Sequence, residues 1–151
     1  MISSLAFIDP KAQFGEGVTV EPFATVYGDV VIGDGTWIGS GAVIYDGARI
    51  GKNCRIFNGA SVSAIPQDLK FSGEETTLEI GDNTTVREFA TLNRGTRARG
   101  KTTIGNNCLL MAYVHVAHDC KVGNNVIIVA SSGIAGEVEL GDWVTLGGAT
   151  V

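Results

Sequence analysis

Both histidines of this 151-residue chain fall in one stretch, Tyr113-Val114-His115-Val116-Ala117-His118-Asp119-Cys120. A histidine followed directly by an aspartate can have its ring oriented and its imidazolium stabilised, provided the turn folds the carboxylate back, and that is what a general base needs. The plainer alternative is a pair of surface histidines bonded to their neighbours. Two histidines spaced by three fall short of the three that a zinc site on such a scaffold would use, so no metal is expected. Gln67, Asp68, Lys70 and Lys101 have the polarity to contact a sugar or a phosphate, or simply to be solvated. Arg87, Arg94, Arg97, Arg99 and Lys101 are five of the eleven basic residues. Together they make a local positive patch able to steer an acidic partner, although a charge run is more often only a solvated face. No serine-nucleophile elbow, P-loop or dinucleotide fingerprint occurs in the right context, so covalent catalysis is not indicated. A lone histidine base on a rigid scaffold fits direct transfer of an acyl group to a hydroxyl, with a backbone N–H stabilising the developing oxyanion.

The elements that must position these residues are legible as a repeat of six. Starting at Ile8, every sixth residue is aliphatic or Phe: Phe14, Val20, Val26, Ile32, Ile38, Ile44, Ile50, Ile56 and Val62. The register fails at Asp68 and Glu74, resumes with Ile80, Val86 and Leu92, and fails again at Ala98. It then runs through Ile104, Leu110, Val116, Val122, Ile128, Ile134, Leu140 and Leu146. Glycine often follows the aliphatic residue, as at Gly33, Gly39, Gly51 and Gly123, where it permits a tight turn. Small or β-branched residues recur four positions after it. Such a pattern predicts a short strand plus a turn, three repeats to a triangular coil and coils stacked as parallel strands, the hexapeptide β-helix. Twenty-four positions at three per coil allow at most eight coils. The expected fold class is therefore all-β, with residues 1–151 as one β-helix domain.

Residues 63–79 and 97–103 break the pattern and are predicted to loop outward, and loops of a solenoid are where chemistry concentrates. The three cysteines, Cys54, Cys108 and Cys120, sit in the small-residue slot and read as apolar filler rather than metal ligands or nucleophiles. The closing Leu146-Gly147-Gly148-Ala149-Thr150-Val151 completes a repeat without a polar cap, which points to a longer protein.

Composition narrows the function classes. A formal charge of −5 argues against nucleic-acid binding. The 44% hydrophobic content excludes a disordered chain, and apolar runs are too short for a membrane-spanning helix. With no signal-peptide pattern and three unpaired-looking cysteines, the expected compartment is the cytoplasm.

The loop Gln67-Asp68-Leu69-Lys70-Phe71-Ser72-Gly73-Glu74, the segment Arg94-Gly95-Thr96, the stretch from Asn107 to Met111, and His115-Val116-Ala117-His118-Asp119-Cys120 followed by Val122-Gly123-Asn124 together carry a resemblance. They resemble the acyl-carrier-protein-dependent UDP-N-acetylglucosamine O-acyltransferases of lipid A synthesis, along the whole chain. The resemblance implies a left-handed parallel β-helix assembled as a homotrimer, with active sites in clefts between prisms. It implies transfer of a 3-hydroxyacyl group from acyl carrier protein to the glucosamine 3-hydroxyl, without cofactor or metal. By the same resemblance His118 is the base, Asp119 orients it, and the Gly136 backbone N–H faces the thioester oxygen. Gln67, Asp68 and Lys70 then contact the sugar nucleotide, His115 lines the cleft, and Arg94, Arg97, Arg99 and Lys101 dock the carrier protein. Asn93 and Glu137 stand where relatives often have histidine. The family also continues with further coils and a helical domain. Two other readings remain open: a related sugar N-acyltransferase, and a solenoid with a structural role only.

Overall fold

In a computed structural model, which describes residues 1–150, the chain forms 21 strands of two to four residues and no helix among the described residues. Each strand holds one of the twenty-one aliphatic positions that kept the six-residue register. The strands make three parallel sheets of seven, from Phe7–Ile8 to Gly133–Ile134, from Gln13–Phe14 to Glu139–Leu140, and from Thr19–Val20 to Thr145–Leu146. The coil is a left-handed triangular prism. Seven coils are therefore built, not eight, because Asp68, Glu74 and Ala98 lie in the excursions. Val151, the last residue of the closing repeat, lies outside the described residues.

The interior follows from the two inward positions of each repeat. Val26, Ile38, Ile44, Ile56, Leu92, Leu110 and Val116 are completely buried at the strands, and Ala24, Ala42, Ala60 and Ala90 are buried at the small slot near the corners. Large residues fill the middle of each side of the triangle and small ones let the chain turn. Cys54, Cys108 and Cys120 occupy that slot, buried and free. Their thiols sit 3.0, 3.1 and 3.0 Å from the carbonyls of Gly81, Gly123 and Ala135 on adjacent coils, and burial pushes all three thiols up from their ordinary pKa. They are small fillers that also offer a weak donor to corner carbonyls.

The glycine after the aliphatic residue has a different role from the one its position suggests. Left-handed backbone occurs two residues further on, for example at Gly17, Gly41, Asn53, Asn107 and Asp119, with φ between 53° and 70°. The glycine itself permits close stacking. A methyl group on Gly33 would lie 2.7 Å from the carbonyl carbon and oxygen of Gly51, one coil along.

Register shows where the excursions leave. Along the first sheet Phe7, Thr25, Val43 and Ser61 are laterally paired at intervals of eighteen, then Ser61 pairs with Thr91 and Thr91 with His115, before eighteen returns at Gly133. The two long intervals, thirty and twenty-four, hold two extra repeats and one extra repeat. Because the insertions are whole multiples of six, the frame survives them. The first is shorter than predicted and the second lies three residues earlier: Ser61–Ala64, Thr77–Ile80 and Lys101–Ile104 are strands, leaving 65–76 and 94–100 outside. Leu78 and Thr102, both fully buried, take up the small-residue slot again before the aliphatic series resumes at Ile80 and Ile104. Both excursions leave from the corner between the first and second sheets.

Gly33→Ala should cost about 1–3 kcal/mol through overpacking, whereas Gly41→Asn should change stability by less than about 0.5 kcal/mol, because nothing lies within 4 Å of a Cβ at Gly41 and its φ is 70°. Urea unfolding monitored by circular dichroism separates the two.

Candidate active site

The corner that releases both excursions also carries His118 and Asp119. Asp119 takes the left-handed position of its turn, φ 61°, a conformation that aspartate tolerates better than most residues. Its carboxylate is thereby folded against the coil and is fully buried. The 94–100 excursion satisfies it: Oδ1 accepts from the N–H of Thr96 at 2.9 Å and of Arg99 at 3.2 Å, and Oδ2 accepts from the Thr96 hydroxyl. Oδ2 also meets His118 Nδ1 at 2.8 Å. Burial pushes the Asp119 carboxyl pKa up, but these bonds outweigh it and hold the pKa below its ordinary value. An ionised Asp119 requires Nδ1 of His118 to be the donor, so Nε2 of the neutral ring is an acceptor that faces the cleft.

That cleft, of about 610 Å³, is lined by Gln67, Asp68, Leu69, Lys70, Asn93, His115, Ala117, His118 and Glu137. Asp68 Oδ2 stands 3.7 Å from His118 Nε2, beyond hydrogen-bond range. Asp68 is itself fixed by a turn, its Oδ1 accepting from the Lys70 N–H at 3.0 Å. His115 Nδ1 lies 2.7 Å from the Thr91 hydroxyl on the preceding coil, and burial pushes its pKa down while a hydrogen bond with the Thr91 backbone partly restores it. Gly136 sits one coil from His118 at the same corner position. A Cβ there would lie 2.5 Å from His118 Nε2, so only glycine leaves the ring in place.

The sequence-expected site residues thus divide. His118, Asp119, Gly136, His115, Asp68, Gln67 and Lys70 converge on one cleft or its rim. The basic run does not form a single patch: Lys101 pairs with Glu79 at 3.2 Å and Arg99 with Glu139 at 3.1 Å. Arg94 turns towards Asp46 and Phe71, and Arg97 is exposed with no ion pair among the described residues. Sequence reading passed over Thr96, which holds Asp119 twice, and Thr102, whose hydroxyl accepts the Asp119 N–H at 2.8 Å. The only available signal was a threonine closing the Arg-Gly-Thr segment.

His118, Asp119 and Glu137 bring potential ligand atoms within 4.8 Å of one another. Both Asp119 oxygens are already committed to backbone, hydroxyl and imidazole donors, so a cation there would have to displace the bond that orients the ring. A second cleft, of about 730 Å³, lies along the same corner near Asp9, Tyr27, Asp46 and Arg94. It holds no histidine, and its Arg49 is paired with Asp29 at 2.7 Å.

A half-buried His115 with a lowered pKa has a consequence for stability. Its folded-state pKa lies below the ordinary 6.5, so as pH falls through that value the unfolded chain binds a proton that the folded chain refuses, and stability drops. Asp119, with a depressed pKa, loses its contribution only at pH below its ordinary 3.8. Between pH 7.5 and 5.5 the His115→Gln variant should therefore lose less stability than the parent, measured by urea unfolding at each pH. Equal losses would show that His115 is solvated.

The chain was compared with known proteins. Residues 29–64 and 101–136 match the model of the bacterial transferase hexapeptide, six repeats. The acyl-[acyl-carrier-protein]--UDP-N-acetylglucosamine O-acyltransferase of Janthinobacterium sp. (strain Marseille) is 48% identical over 99% of this chain and 58% of the relative. Among solved structures, the UDP-N-acetylglucosamine acyltransferase from Campylobacter jejuni superposes with a TM-score of 0.93 at 44% identity, covering 98% of this chain and 58% of that one. The acyltransferase from Bacteroides fragilis superposes with a TM-score of 0.94 at 46% identity, covering 99% and 66%. The chain thus spans a little more than half the length of the curated relatives it matches. Repeat, prism and sequence agree, and the chain belongs to the hexapeptide-repeat transferases, in the family of the UDP-N-acetylglucosamine O-acyltransferases.

Proposed function

We propose that this chain provides the catalytic cleft of an enzyme that transfers an (R)-3-hydroxyacyl group from acyl carrier protein to the 3-hydroxyl of UDP-N-acetylglucosamine, the first step of lipid A biosynthesis. The observation that carries the reading is the 2.8 Å contact between His118 Nδ1 and a fully buried Asp119, which aims an accepting Nε2 into a polar cleft. His118 Nε2 takes the proton of the sugar 3-hydroxyl as its oxygen attacks the thioester carbonyl. Asp119 steadies the imidazolium, with Asp68 adding a second negative charge 3.7 Å from Nε2. The tetrahedral oxyanion is met by the Gly136 N–H, which bonds to no other described residue. Collapse breaks the C–S bond, and the imidazolium returns its proton to the departing carrier thiolate, leaving the ester and restoring the base.

In this reading Gln67, Asp68, Lys70 and His115 bind the sugar nucleotide, and Arg94, Arg97, Arg99 and Lys101 form the docking edge for the acidic carrier, with Arg97 the most available cation. The wholly exposed Leu69 and the exposed Ile65 of the first excursion favour a homotrimer whose neighbouring prism covers that loop and closes the cleft. Three free, buried thiols suit a cytoplasmic setting.

The test is a metal-free transfer assay on the full-length enzyme with UDP-N-acetylglucosamine and 3-hydroxyacyl carrier proteins of several chain lengths. His118→Ala should lower kcat by roughly 10²–10⁴, and undiminished turnover would remove His118 from its role. Gly136→Ala should reduce kcat comparably, by crowding the ring against which its methyl would lie at 2.5 Å. A folded protein without product from any donor would favour an amine acceptor or a structural role.

A further inference from the structure

Asn93 stands out in the cleft because its amide oxygen is buried there without a partner. The residue is 3% exposed, its Oδ1 receives no hydrogen bond, and it lines the same cavity as His118, His115 and the 67–70 loop. Native structures keep few such orphans, since a buried acceptor without a donor loses its water and gains nothing.

The surroundings explain why the orphan persists. Asn93 ends the strand Thr91–Asn93, opposite Ala64, at the point where register shifts between Val62 and Ala64. There Ser63 adopts φ 69° and spends its hydroxyl on the Asp46 carbonyl at 2.8 Å, so the preceding coil offers Asn93 nothing. On the following coil the equivalent corner residue is Ala117, which brings only a methyl group. The amide is thus hemmed in by protein along the stack, and the residue's small remaining exposure lies at the cleft wall, where a slight turn of the side chain presents Oδ1 to a ligand. Any apolar residue of the same size would fill the position at no electrostatic cost.

We propose that Asn93 is a substrate-binding residue of the acceptor subsite, its Oδ1 accepting a hydrogen bond from a hydroxyl or amide N–H of the sugar. The inference rests on the transfer reaction proposed above and adds to it the residue that recognises the acceptor. Beside Asn93 the cleft carries Gln67, Asp68, Lys70 and His115 along with the apolar Leu69 and Ala117, and it is the polar groups on this side that suit a sugar. A ligand donor completes the valence that folding leaves empty, so binding energy is gained where stability was surrendered.

The experiment uses the full-length enzyme, with Asn93→Leu as the isosteric variant and Asn93→Ala as the second. Thermal unfolding, kcat and the KM for each substrate are measured, and the kinetics are repeated with UDP-N-acetylglucosamine analogues that lack one sugar hydroxyl or the amide N–H. The expected result is a melting temperature equal to or above the parent's, a sugar-nucleotide KM raised about ten-fold or more, and kcat changed far less. One analogue should cost the parent that same factor and the variants nothing. An unchanged sugar-nucleotide KM in both variants overturns the inference while leaving the transfer reaction intact, as does a rise confined to the acyl donor's KM. A parent enzyme that turns over no UDP-N-acetylglucosamine overturns the reaction itself, and this inference with it.

Discussion

No strand among the described residues is longer than four residues, and none could persist alone, so the whole architecture depends on the hydrogen bonds by which each coil lies in register on the next. Typical strand spacing of about 4.8 Å leaves no room for a side chain wherever two turns come face to face. That single constraint places glycine at the contact corners, aliphatic residues along the sides and small residues beside the turns.

The same constraint determines where chemistry can reside. Residues inside the prism are fixed by volume and those at the stacking corners by contact, which leaves the excursions and the outward corner positions free to carry polar groups. The 94–100 excursion uses that freedom to solve an electrostatic problem. A carboxylate with no solvent exposure costs several kcal/mol unless it is fully bonded, and Thr96 and Arg99 supply the bonds. Because those donors belong to an excursion leaning back on the coil, Asp119 can be both buried and ionised, and the His118 tautomer follows from its charge.

The sequence displays its strands because the repeat is written once per strand, and the chemistry of His118-Asp119 because the two are adjacent. What is spread across coils is harder to read. The convergence of Asp68 with His118 depends on an excursion whose end is hidden in the sequence: Thr77, Leu78 and Glu79 are already in a strand, although the aliphatic position before them is Glu74. The basic run reads as one patch in sequence, yet Lys101 meets Glu79 from the neighbouring coil and Arg99 meets Glu139 from two coils along, partners that lie twenty-two and forty residues away in the chain. Thr96 and Asn93 carry no periodic signal at all. Their importance lies in what stacks above and below them, which only the register of thirty and twenty-four residues determines.

His118 and Gly136 hold the same corner position on successive coils, eighteen residues apart. Their separation is therefore set by the stack itself, at about one strand spacing, and not by any loop whose conformation could drift. In the proposed reaction this distance is the one that matters most, because the base and the oxyanion donor must flank the same carbonyl. A Cβ at position 136 would lie 2.5 Å from His118 Nε2, so the absence of a side chain keeps the gap open while backbone hydrogen bonding keeps it from widening. Preorganisation of this kind needs no closing lid. It is inherited from the repeat, and in that reaction it would let the base and the oxyanion donor stand on bare coil corners without support from a loop.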